Sequence, residues 1–191
     1  MFFGKSRILL FKPDSSPAPG SAGHAETIFT FSNGTTVGLD INGELYPWKY
    51  DEADDNSILD YEGSEKLYID DLVSVDIGNT VNSIRYSAFY GCYGLTSIMI
   101  PDSVESIGNN AFGSCYELTS ITIPNSVINI GNWAFDGCDG LLSVTIDKSK
   151  SQVESMANKY WGLGYSSVGS EFTMTIHCND NQDIVINPEE E

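Results

Sequence analysis

One pattern of 23 residues recurs four times in this chain, opening at Leu72, Leu95, Leu118 and Leu141, and the copies match position by position. Val75, Ile98, Ile121 and Val144 share one column, and Ile77, Ile100, Ile123 and Ile146 share the next. Further columns are Val81/Val104/Val127, Ile84/Ile107/Ile130/Val153, Ala88/Ala111/Ala134/Ala157, Phe89/Phe112/Phe135 and Cys92/Cys115/Cys138. Self-similarity at such a period means units that stack in one dimension. Each unit buries its apolar face against its neighbours, so no unit is stable alone and the two ends need covers.

Within a unit, L-T-S-I-T-I of Leu118 to Ile123 is rich in β-branched residues and reads as a strand with Leu118, Ile121 and Ile123 inward. Pro101 and Pro124 remove a backbone donor and end that strand, and Gly78 takes their place in the first unit. A second short extended piece follows with Val127 and Ile130 inward, after which Gly108 and Gly131 are expected to take positive φ in a turn. Asn109 to Cys115 then fits one helical or 3₁₀ turn that places Ala111, Phe112 and Cys115 in the core.

The run I-x-I-P, then V-x-x-I-G, then A-F-x-x-C resembles the BspA-like, or Treponema pallidum-type, leucine-rich repeat family, closely over residues 72 to 140 and in part over 141 to 163. Gly78 and Arg85 stand where the family has Pro and Gly in the first unit, and Asp147 replaces Pro in the fourth. The resemblance implies a mainly β fold: a short leucine-rich-repeat solenoid with a β-rich N-terminal cap and an α+β C-terminal cap. It also implies attachment and protein or surface recognition rather than catalysis. M-A-N-x-x-W-G-L from Met156, followed by T-I-H-C-N-D from Thr175, is similar to the endings of small repeat proteins encoded in phages and prophages of gut bacteria.

Four segments follow. Residues 1 to 23 form a docking arm and linker, 24 to 71 a β-hairpin cap, 72 to 146 the solenoid, and 147 to 191 a helix/strand cap with an acidic tail. Asn33-Gly34 between two alternating runs is a strong hairpin signal, and Asn42-Gly43 suggests a second turn. At the far end, Ser151 to Tyr160 reads as an amphipathic helix ended by Gly162. The alternating strand Phe172 to Cys178, with Ile184 to Ile186 beside it, would hide the last open sheet edge.

The arm holds Phe2, Phe3, Ile8, Leu9, Leu10 and Phe11 ahead of a Pro/Gly/Ser stretch. Its apolar run from Ile8 to Phe11 is cut by Lys12-Pro13, shorter than the roughly 7 to 15 residues of a secretory core. A peptide that docks on a protein partner in a larger assembly is the preferred reading; an export signal and a plain tail are the alternatives.

The net charge of -18 repels phosphate backbones and anionic membranes, which disfavours nucleic-acid binding. No apolar run approaches the length of a membrane span. Cys92, Cys115 and Cys138 lie one rung apart, near enough for a disulfide. Three equivalent thiols cannot all pair, so they are expected to be free core residues, with Cys138 to Cys178 the alternative bridge. His177 and Cys178 are neighbours on a strand, point to opposite faces and form no nucleophile pair. Asp51, Glu52, Asp54 and Asp55 lack the glycine and terminal glutamate spacing of a calcium loop and read as a solvated loop, with calcium the alternative. No metal, cofactor or catalytic residue is expected, and the chain reads as a non-enzyme.

Function is therefore expected at the surface. The leading strands present Thr96, Ser97 and Met99, then Thr119, Ser120 and Thr122, a small hydroxyl-rich column suited to glycan hydrogen bonding or a flat protein contact. Tyr86, Tyr90, Tyr93, Tyr116 and Trp133 fall outside the core columns on the turn side, where exposed aromatics favour binding. The expectation is a bacteriophage virion protein on a capsid or tail, made in the host cytoplasm. The alternative is a bacterial cell-surface or secreted adhesion module binding host protein or glycan, which would be expected to carry an export signal and an anchor.

Overall fold

The computed structural model describes residues 8–11, 26–39, 41, 43–45, 57–59, 67–156, 161–162 and 174–186. Strands β1 (Ile8–Phe11), β2 (Thr27–Phe31) and β3 (Thr36–Leu39) form an antiparallel sheet in the order β1-β3-β2. The hairpin between β2 and β3 turns at Asn33-Gly34, with Gly34 at φ 83 and the Asn33 side chain accepting from the Thr35 amide at 2.9 Å. Phe29, Phe31 and Val37 of this hairpin are buried. Strand β4 (Gly43–Leu45) opens at a left-handed Gly43, and β5 (Ser57–Leu59) pairs with β6 (Leu67–Tyr68) before a 3₁₀ turn at Ile69–Asp71.

Four leading strands follow, one per unit: β7 (Leu72–Asp76), β9 (Ser97–Met99), β11 (Ser120–Ile123) and β13 (Ser143–Ile146). The shorter second strands are β8 (Val81–Ile84), β10 (Ser106–Ile107) and β12 (Asn129–Ile130). Equivalent residues pair in parallel, Ile84 with Ile107 and Ile107 with Ile130 on the second ladder, Val75 with Ile98 and Ile121 with Val144 on the first. Among the described residues the expected columns are buried except at Ile98, which is only partly covered; Ala157 lies outside the described residues.

Both ends are covered by strand pairing. Antiparallel β2 lies along β7, and β4 extends the second ladder in parallel beyond β8. At the far end β14 (Met174–Cys178) continues the first ladder in parallel beyond β13, and β15 (Ile184–Ile186) closes it antiparallel. Helix α1 (Lys150–Met156) starts earlier than its apolar pattern suggested. Ser149 and Gln152 form a capping box, in which the Ser149 amide donates to the Gln152 side chain at 2.9 Å and the Gln152 amide donates to Ser149 Oγ at 3.4 Å. Val153 buries its apolar face, and the expected continuation to Tyr160 lies outside the described residues.

Three expectations meet the structure differently. The Ala-Phe-Cys segment, expected as one helical or 3₁₀ turn, is a chain of overlapping i to i−3 turns, the hydrogen-bond pattern of the 3₁₀ alternative, that does not run on as a helix. In the second unit Ala111 N donates to Gly108 O, Gly113 N to Asn110 O and Cys115 N to Phe112 O. The intervening amides of Asn110, Phe112 and Ser114 donate instead to Asn132, Ala134 and Asp136 of the next unit, so they cannot continue a helix. Gly108 and Gly131 do not have positive φ; they are small because backbones meet there. A Cβ on Gly131 would lie 2.4 Å from the Asn109 amide, and one on Gly108 would lie 2.5 Å from that of Tyr86. Arg85, at the same position in the first unit, faces β4 instead: its amide donates to Leu45 O and its guanidinium pairs with Glu44 at 3.1 Å. Finally, Ile8–Phe11 of the arm pairs with β3 and is the outer strand of the cap sheet among the described residues, which does not decide whether it docks on a partner; Phe2 and Phe3 lie outside the described residues.

Candidate interaction surface

Each of the first three rungs runs from leading strand to second strand to turn, and the turn returns the chain to the next leading strand. Alternation along the leading strands puts Thr96, Ser97, Met99, Thr119, Ser120 and Thr122 on the exposed face. This face is less free to bind than its composition suggested. Thr96 Oγ1 donates to Val73 O at 2.9 Å, so its hydroxyl serves the neighbouring rung. Met99, 46% exposed, is the large apolar member of the column.

The five aromatics of the turn side are all exposed, and the structure sorts them into three places. Tyr86 and Trp133 sit where the second strand enters the turn, and Tyr93 and Tyr116 where the turn leaves for the leading strand. Tyr90 lies between them with its ring flat on Gly113, where a Cβ would come within 2.8 Å of the ring. Tyr93 and Tyr116 stack at 5.1 Å with planes 6° apart. The Tyr93 hydroxyl is held above the usual tyrosine range by partial desolvation, then by the charges of Tyr116, Asp70 and Tyr90.

Trp133 has φ 53, in the left-handed region that bulky residues rarely adopt. Ser87 and Asn110 hold the same conformation at the equivalent position, so the turn imposes it on each of the first three rungs. Asn in that column was a legible signal of the left-handed backbone. The strained position in the third rung is filled by an indole that is half exposed.

The interior beneath this surface is apolar and closely covered. Cys92, Cys115, Cys138 and Cys178 are buried and unbridged. The thiols of Cys115 and Cys138 donate to Phe89 O at 3.3 Å and Phe112 O at 3.1 Å. Burial, reinforced by Asp70, pushes the Cys92 thiol far up; the adjoining Cys138 thiol and then burial do the same to Cys115. Beside them Phe89, Phe112 and Phe135 form one stack, each pair 5.4 Å apart and within 6° of parallel.

Other candidates carry less. His177 is exposed and pairs with Asp183 at 3.1 Å, while Cys178 points to the opposite, buried face. Among the described residues no three His, Cys, Asp or Glu side chains are grouped to hold a metal ion, and no helix is long and apolar enough to cross a membrane. His24 and the stretch Asp51, Glu52, Asp54 and Asp55 lie outside the described residues. Sequence reasoning overlooked Lys148, a buried cation whose Nζ donates to Asn125 O at 2.6 Å and Asn125 Oδ1 at 3.2 Å. With Asp147 it replaces the proline turn of the second and third rungs, and it satisfies the Asn125 carbonyl just beyond the third leading strand.

The sequence pattern of the BspA type leucine-rich repeat region matches residues 64–174 as six copies, more than half of the chain. The chain belongs to the BspA type leucine-rich repeat family. The match extends on both sides of the four copies that open at Leu72 to Leu141, from residue 64 ahead of the first to residue 174 at the start of β14. Repeat regions of this family are protein-interaction modules, typically without enzymatic activity. A leucine-rich repeat protein from T. pallidum, TpLRR, is similar at 37% identity over 38% of this chain and 36% of its own, with a TM-score of 0.36. A leucine-rich repeat protein from Bacteroides ovatus is similar at 37% identity over 39% of this chain and 20% of its own, also with a TM-score of 0.36. The BspA type chain thus spans well under two thirds of either protein's length. No curated protein matches the sequence.

Proposed function

We propose that this BspA type repeat protein is a recognition module carried on a larger assembly, a bacteriophage virion, and that its turn-side aromatics make the contact outward. The observation that carries the recognition reading is the exposure of Tyr86, Tyr90, Tyr93, Tyr116 and Trp133 on a backbone locked from rung to rung, with Trp133 in a conformation that costs energy. Aromatic side chains held in place at a surface lose little entropy on binding.

Attachment to the assembly is assigned to the N-terminal sheet. Strand β1 is the outermost strand of its sheet among the described residues, and a partner strand adding to it would dock the module by β-augmentation. The virion is supported by the likeness of the Met156 and Thr175 segments to phage-encoded repeat proteins. The alternative, a bacterial surface or secreted adhesion module, is favoured by the family itself, whose repeats serve attachment. Mass spectrometry of particles purified from the host that carries the gene separates them. Stoichiometric presence in particles, lost on deleting residues 1 to 22, supports the virion reading. Recovery with the cell envelope and absence from particles overturns it.

A further inference from the structure

One column of the solenoid stands apart from the rest of the turn side. Asp70, Tyr93, Tyr116 and Asp139 occupy equivalent positions in successive rungs, so two tyrosines are bracketed by two carboxylates. The tyrosines, 43% and 41% exposed, stack on each other rather than folding onto the core. Their backbone is fixed from below, because the Glu117 amide donates to Tyr93 O and the Gly140 amide donates to Tyr116 O at 3.0 Å. Stacking gives one face of each ring to the other, and in the column Asp70 lies one rung before Tyr93 and Asp139 one rung beyond Tyr116. The field of Asp70 already reaches the Tyr93 hydroxyl.

An aromatic face with a carboxylate beyond it is the environment a cation prefers. The surrounding charge agrees. Between Arg85 and Lys148 the chain contains no lysine or arginine, while Glu117, Asp136 and Asp139 lie in or beside the turns. We propose that the Asp70-Tyr93-Tyr116-Asp139 column is the docking surface for a basic segment of a partner protein, whose Arg or Lys side chains cover the outer tyrosine faces. Rungs spaced about 4.8 Å apart put the two carboxylates about 14 Å apart, the span of about four residues of extended chain. Two basic residues four apart on an extended segment therefore engage both ends of the stack. This inference rests on the recognition reading above and names the chemistry of its partner.

The test uses the full chain and a fluorescein-labelled 12-residue peptide of alternating arginine and serine, read by fluorescence polarisation at 0.15 M salt. The glutamate-for-arginine peptide and cellohexaose serve as comparison ligands. The arginine peptide is expected to bind and the glutamate peptide not to. Y93A/Y116A is expected to weaken binding at least tenfold while still melting in one cooperative transition well above the assay temperature, whereas Y93F/Y116F, which keeps the stack, retains binding. D70N/D139N is expected to weaken binding comparably and flatten its salt dependence. Equal binding by Y93A/Y116A would mean that the overall negative charge alone attracts the peptide, and that overturns the proposal. So does cellohexaose binding that the tyrosine variant abolishes while the arginine peptide fails to bind. A protein incorporated into particles whose tyrosine variants behave as the parent refutes the docking column and leaves the recognition reading standing. Absence from particles with intact, tyrosine-dependent peptide binding does the reverse.

Discussion

The turn side and the leading-strand side of the same rungs are held together differently. On the turn side the stack is unbroken. Ser87, Phe89 and Gly91 donate to Asn109, Ala111 and Gly113, and Asn110, Phe112 and Ser114 donate one rung further on. The three phenylalanine rings run through the same junctions. On the leading side, β7 pairs with β9 and β11 with β13, but the first ladder divides between β9 and β11, which belong to different sheets. Ile98 is partly uncovered at this division, where Val75, Ile121 and Val144 are buried in their rungs. The difference teaches that continuity of this solenoid is carried by turns and aromatic stacking as much as by β-ladders. The surface built on the turns is thus the better anchored of the two candidate surfaces.

The sharpest way to break this comparison is Phe112→Ala. That ring has a stacked neighbour on each side and no exposure, so its loss leaves a cavity at two junctions at once. Unfolding in denaturant should show a loss of about 3 to 5 kcal/mol. A loss under about 1 kcal/mol would mean that the turn side does not carry the stack.

Next in size is Gly131→Ala, which tests the close approach of successive backbones where the second strand enters the turn. Its Cβ would meet the Asn109 amide and Oδ1, both at 2.4 Å, and the Gly108 carbonyl carbon at 2.6 Å. Backbone cannot move aside as a side chain does, and a cost of about 1 to 3 kcal/mol is expected. Gly34→Ala provides the contrast. Nothing lies within 4 Å of that added Cβ, and only the left-handed φ resists it, so its cost should stay near 1 kcal/mol or below.

What was legible in the sequence divides along the same line. Repetition multiplies a weak signal, so the buried columns, the two strands per unit and the stacked phenylalanines could all be read from Leu72 onward. Backbone donors were not legible, because whether the Phe112 amide continues a helix or reaches Ala134 depends on a neighbour that a single unit does not contain. The positive φ belonged one residue beyond Asn109, at Asn110 and its equivalents, while the glycines marked close packing. The caps occur once, so Asn33-Gly34 was readable through its strong local chemistry, but the parallel pairing of β4 with β8 was not. As for the surface, exposure of the aromatics followed from their lying outside the core columns. The Tyr93-Tyr116 stack required adjacent rungs in register, and the strain at Trp133 required the backbone itself.

The division in the leading ladder can be sharpened by Ile98→Ala. A partly covered isoleucine beside an unpaired step loses less than a buried one, and about 1 kcal/mol is expected. Ile121→Ala, at the equivalent buried position, should cost at least twice as much within the usual range of about 2 to 5 kcal/mol. Equal losses would show that the first ladder is as tight between β9 and β11 as elsewhere.

The smallest effect tests the burial of the turn-side column through its thiols. Cys92 and Cys115 have folded pKa values raised well above the ordinary thiol range, so the native state keeps their protons when the unfolded chain gives them up. Below the unfolded value of about 8.5 both states are protonated and this contribution is fully present. As pH rises past that value the unfolded state is favoured, and stability falls by about 0.8 kcal/mol per buried thiol at pH 9. Cys92→Ala should remove one thiol's share of the slope between pH 7.5 and 9, whatever it does to stability at pH 7.5. In the same samples a thiol reagent should react with Cys92, Cys115 and Cys138 only at the rate of unfolding. Fast native labelling with no change in slope would mean that water reaches the column, and the turn side would then lose its claim to be the tighter half of the rung.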